Sequence, residues 1–109
     1  KIFQEYLRKL VRDNAKRLEV EVTEGMPSSM FEDLLLAVSE KTDGKKKAAV
    51  LIDEYDAPLL QVLSKNDGMM DERVRETRDA LHSFLLVTKS SAHLTHCQVI
   101  MGANKFTLA

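Results

Sequence analysis

Apolar residues recur at three- and four-residue steps near the start of the chain: Ile2, Phe3, Tyr6, Leu7, Leu10 and Val11. That spacing predicts an amphipathic helix over residues 1 to about 15, with Arg8, Lys9 and Arg12 on its other face. Residues 18–22, Leu-Glu-Val-Glu-Val, alternate instead. The alternation fits a short half-buried or edge strand, or an extended linker. Gly25 and Pro27 then break the pattern. Ser29 and Glu32 have capping-box spacing. A helix is expected to follow, burying Met30, Phe31, Leu34, Leu35 and Val38. Asp43-Gly44 tolerates left-handed backbone and stops it near Thr42. Lys45 to Lys47 read as a solvated turn before a strand, in preference to a phosphate-binding patch.

Ala48-Ala49-Val50-Leu51-Ile52 is apolar without alternation. Such a run predicts a strand buried on both faces, within a parallel sheet that carries helices on both sides. Pro58 suits the first turn of a short helix through about Leu63, and 64–68 read as a loop. Val74, Thr77, Leu81, Phe84, Leu85 and Thr88 share one face of a helix over 70–89. Arg73, Arg75, Glu76, Arg78 and Asp79 fall mostly outside it. After a connector, residues 97–101, Cys-Gln-Val-Ile-Met, predict a second short buried strand, and a Gly-led loop ends the chain. Strand, crossover helix and strand make a βαβ unit with parallel pairing. The fold class is α/β.

Composition narrows the setting. The chain has 109 residues, 44% apolar and 30% charged, with a net charge of −1. That is one soluble domain or part of one, with no electrostatic footprint for nucleic acid or membrane. No apolar run nears the ~20 residues that span a bilayer. Cys97 is the single cysteine, which favours a reducing, intracellular and cytoplasmic setting. The chain opens at Lys1, so an upstream segment is expected.

Candidate chemistry gathers after the first strand, in Asp53-Glu54-Tyr55-Asp56. Ligands of open α/β sheets bind beyond the carboxyl ends of the strands. Four apolar residues followed by Asp-Glu have the shape of a Walker B motif. There the Asp directs Mg²⁺ through its water shell, and the Glu orients and deprotonates a water that attacks a γ-phosphate. Buried strands also end in acids simply because carboxylates favour the solvated turn, and Asp56 serves equally as N-cap of the helix that Pro58 begins. His93, His96 and Cys97 lack the further ligands a zinc site needs, and His82 is the only other histidine. They read as helix-end histidines and a buried, inert thiol. The arginines at 73, 75 and 78 read as a solvated face, with an arginine finger as the sharper alternative.

The longer string Val50-Leu-Ile-Asp-Glu-Tyr-Asp-Ala-Pro-Leu-Leu60 resembles the signature of the AAA-ATPase-like family of P-loop NTPases. That family carries the same LIDEYD followed by a proline. The apolar helix before this strand, the long helix after it and the closing "IMGANKFTLA" fall in the same order. The resemblance covers residues 28 to 109. It implies an α/β fold, a partial P-loop NTPase (AAA-like) with a parallel sheet flanked by helices, the 109 residues being a fragment of one such domain. It implies Asp53 as the Mg²⁺-directing aspartate, Glu54 as the catalytic base, Asp56 as an acid that orders the loop behind them, and ATP and Mg²⁺ as cofactors. The sensor position departs from the family: Met101 stands where a threonine is usual, and Asn104 is the candidate in its place. Thr107 replaces the usual serine.

The phosphate-binding loop G-x-x-x-x-G-K-S/T is absent, since Gly44-Lys45 lacks the first glycine and the closing Ser/Thr. The expected partner is therefore an upstream P-loop segment of the same protein. Nucleic acid enters only through a linked nuclease-like domain, as in relatives, and no membrane contact is expected. The leading reading is an ATPase core. The alternatives are a non-catalytic nucleotide-sensing or protein-interaction module, and a phosphoacceptor domain using Asp53, which wants an earlier acidic strand end that residues 18–22 do not provide. The P-loop strand would flank the strand at 97–101, whose edge is otherwise open to pairing. These 109 residues alone are expected to self-associate and to bind nucleotide weakly. Light scattering that gives a clean monomer, together with micromolar ATP affinity, would overturn that expectation.

Overall fold

The computed structural model describes residues 2–58 and 70–102. The elements are α1 (Ile2–Arg17), α2 (Pro27–Lys41), β1 (Ala48–Ile52), α3 (Met70–Ser90), a 3₁₀ turn (Ala92–Leu94) and β2 (Thr95–Ile100). The two strands pair in parallel, from Ala48 opposite Thr95 to Ile52 opposite Ile100, with an irregularity between Ala48 and Ala49. This is the expected α/β unit, with α3 in the crossover between the strands. The expected short helix begins at 57–58, and its remainder and the loop at 64–68 lie outside the described residues.

α1 buries a narrower stripe than its apolar positions offer. Leu7, Val11 and Ala15 are buried, whereas Ile2, Tyr6 and Leu10 are exposed. Its end explains why residues 18–22 form no strand. Val20 N–H donates to Ala15 O at 3.0 Å and Glu19 N–H to Lys16 O at 3.2 Å, with Glu19 left-handed at φ 59°. These are the paired bonds of a Schellman cap. Leu18, Val20 and Val22 still turn inward against the core, so the alternation belongs to an extended linker.

α2 begins three residues earlier than a cap at Ser29 would give. Met26 takes the N-cap position without a side-chain bond, and Pro27 occupies the first turn, where its fixed φ costs nothing. The capping box is therefore not formed. Its far end meets expectation: Gly44 N–H donates to Ser39 O at 2.8 Å and Asp43 N–H to Glu40 O at 3.1 Å. Asp43 and Gly44 are left-handed at φ 54° and 76°. Charged groups tie the linker down between the helices. Arg12 donates through Nε to Glu24 Oε2 and through Nη2 to Glu5 Oε2, both at 2.8 Å. Arg8 Nε reaches Gly25 O and Lys41 Nζ reaches Leu18 O. The hydrogen bond from Arg12 holds the Glu5 carboxyl below its usual range.

The core joins all three helices to one face of the sheet. Leu7, Val11, Met30, Phe31, Leu35, Val50, Phe84 and Val87 form one buried cluster. Every position predicted for the inner face of α3 is buried or half-buried, and the five charged residues predicted outside it are exposed. The sheet departs from expectation. Val50 is 8% exposed and Leu51 71%. The pleat sends these neighbours to opposite faces, and among the described residues the Leu51 face has no cover. β2 starts at Thr95 rather than 97, and Val99, Ile100 and Met101 are 41%, 40% and 48% exposed. Cys97 is exposed, not buried. Opposite Val50 the strand places Gln98, whose Nε2 donates to Thr88 O and to Thr95 Oγ1. Each strand has one unpaired edge among the described residues.

Three substitutions test this packing, all read as urea midpoints. Val50→Ala is expected to cost about 2 kcal/mol, while Leu51→Thr stays within about 0.5 kcal/mol. Glu19→Gly relieves a left-handed side-chain residue and is expected to stabilise the chain by roughly 0.5–1 kcal/mol.

Candidate functional site

Both strands run in the same direction, so their carboxyl ends meet at one edge of the sheet. The candidate residues collect there. The ladder continues one step past β2, where Met101 N–H donates to Ile52 O at 2.8 Å. Tyr55 N–H then donates to Met101 O at 3.0 Å. One residue of the β2 strand end thus holds the chain on both sides of Asp53-Glu54. Those two residues form an outward excursion, and both are exposed. Glu54 turns it with a left-handed φ of 53°. Such a conformation costs a non-glycine residue of order 1–3 kcal/mol and persists where its surroundings enforce it. Ala57 N–H closes the turn by donating to Glu54 O at 3.0 Å.

Behind the excursion the chain returns to the interior. Tyr55 packs on the Leu81–Leu85 cluster with Phe3, Ile52 and Val74. Asp56 is 1% exposed and directly precedes the helical pair 57–58. Gly102 lies under the tyrosine. A Cβ built on it would stand 2.6 Å from Tyr55 Cδ1 and 3.1 Å from Asp56 Oδ1, well inside van der Waals contact.

Of the sequence candidates, Asp53 and Glu54 are brought together at the strand tip and Asp56 is placed beneath them. Asn104 lies outside the described residues. Tyr55 and Gly102 carry no charge and were not singled out as site residues. Their only signals are an aromatic set among three acids and a glycine directly after the strand end. The histidines do not converge: among the described residues no three His, Cys, Asp or Glu side chains form a metal-holding group. His96 and Cys97 are successive residues of β2, both exposed. Arg75 and Arg78 are exposed on α3, as are Lys45 to Lys47 in their turn. A shallow groove of about 240 Å³, lined by Thr23, Glu24, Gly25, Asp33 and their neighbours, lies along the α1–α2 linker and shares no residue with the strand tip.

Asp53 and Glu54, both exposed at the tip, are the residues that could hold a metal, and one or two carboxylates with retained waters are a donor set of the magnesium kind rather than the zinc kind. No helix among the described residues is long and apolar enough to cross a membrane. No curated protein and no solved structure matches the chain. The family described as Predicted AAA-ATPase matches residues 1–109. A match over the whole sequence, with the family's acidic string standing at the carboxyl end of a parallel strand, shows that this chain belongs to the AAA-ATPase-like family.

Proposed function

We propose that these residues are the Walker B half of a Mg²⁺-dependent ATPase domain, completed by a P-loop segment outside them. The observation that carries the reading is the Asp53-Glu54 excursion. Two exposed carboxylates stand at the carboxyl edge of a parallel sheet, where α/β proteins bind ligands. Their chain is held from both sides by Met101.

Asp53 would hold Mg²⁺ through its water shell; when bound, the metal neutralises charge on the β- and γ-phosphate oxygens. Glu54 orients a water by accepting its hydrogen bond at a carboxylate oxygen, and takes its proton as the water attacks. Its exposure keeps it within reach of solvent. Asp56 lies too deep to meet a nucleotide; it orders the turn that carries the other two. Asn104 is the sensor candidate by sequence. Any action on nucleic acid would come through a linked domain.

The test is ATP turnover by the native protein, wild type against Glu54→Gln. Loss of a general base is expected to lower kcat by about 10²–10⁴-fold while ATP binding stays nearly unchanged. Equal turnover in the two proteins would reduce Asp53-Glu54 to a surface turn and favour a non-catalytic interaction module.

A further inference from the structure

We propose that Tyr55 and Gly102 are positioning residues that set the backbone of Glu54, joining the acidic tip of β1 to the end of β2 as one rigid unit. The inference rests on the ATPase reading and names a device within it. Glu54 sits left-handed, a conformation that glutamate abandons unless held. Two contacts hold it. Tyr55, the next residue, donates its N–H to Met101 O at 3.0 Å. The Tyr55 ring meanwhile lies against the Gly102 backbone so closely that a methyl group there would fall 2.6 Å from Cδ1.

The ring is not free to swing clear. It is half-buried and packs with Leu81, Leu85 and Ile52. Relief of a Cβ at Gly102 must therefore come from the backbone, by lifting Tyr55 off Met101 or by displacing β2 from β1. Either movement releases the Glu54 turn. The geometry also accounts for Met101 in place of threonine. Its side chain is 48% exposed, and its main-chain N–H and C=O make the two bonds that bracket the excursion. Any residue supplies those groups except proline, which lacks the N–H. The glycine after it has no such latitude.

The experiment uses the native protein in full, with steady-state ATP hydrolysis, equilibrium ATP binding and thermal melting on four variants. Glu54→Gln tests the underlying reading. Gly102→Ala and Tyr55→Ala each test the inference, and the pair combined tests the coupling. Gly102→Ala is expected to lower kcat on the order of 10–100-fold, with ATP affinity and KM nearly unchanged. Tyr55→Ala removes the ring that Gly102 accommodates and is expected to give a similar loss in kcat. The double variant should lose little more than either single one, because both break the same contact. A merely structural role would lower melting temperature without splitting kcat from KM. If Gly102→Ala fails to fold, Tyr55→Ala carries the test alone. Glu54→Gln inactive beside undiminished kcat in Tyr55→Ala or Gly102→Ala overturns the inference and leaves the ATPase reading intact. Turnover equal in wild type and Glu54→Gln removes the reading, and the inference falls with it.

Discussion

Phe31 and Phe84 stack with ring centroids 4.6 Å apart and planes 19° apart. One ring belongs to α2 and the other to α3, and both are buried. A stacked pair adds roughly 0.5–1.5 kcal/mol to the burial of its rings, but its larger effect is geometric. Two strands alone have too little face to be stable in water. They need a helical layer, and α2 is the element that touches α1, β1, α3 and the 3₁₀ turn. The ring stack fixes where α3 lies on α2. Where α3 lies decides where Leu81 and Leu85 stand, and these receive Tyr55. The acidic tip is thus located through a chain of packed side chains that begins far from it.

Charge has a smaller part. Arg8, Arg12 and Lys41 reach linker groups at 2.8 Å, but the ion pairs among them are exposed and screened. They fix the path of the linker after the Glu19 cap has already turned the chain. The fold would lose shape there before it lost cohesion. At the strand tip the packing of Tyr55 is joined by main-chain hydrogen bonds and one close approach, which set the local geometry.

Much of this was legible in the sequence, and the reason differs by element. The inner face of α3 could be read because six positions keep helical spacing over four turns, and core packing rewards that spacing. The stop of α2 was legible because Asp43-Gly44 is chemically suited to left-handed backbone. The stop of α1 was not, because Glu19 carries no sign that it will take that conformation; the cap is enforced by Ala15, Lys16 and the inward Val20. The start of α2 was misplaced because a proline at the first turn competed with a capping box and won. The sheet was read as covered twice because an apolar run records what can be buried, not what is. At the site, the carboxylates announced themselves by charge. Tyr55 and Gly102 did not, since their meeting is a contact between residues far apart in sequence that only the folded chain brings about.

The pairing of Ala48 with Thr95 also has a consequence for the order of events in folding. α1 and α2 close through neighbouring segments, which costs little loop entropy. Among the described residues, β1 has no strand to pair with until β2 has been made. At roughly 5–20 residues per second of synthesis, the intervening chain takes several seconds to appear. During that interval β1 can rest its Val50 face on α2, but the ladder that β2 will complete stays unpaired. The nascent chain therefore passes through an interval with the acidic tip already synthesised and the Met101 bonds that bracket it not yet possible.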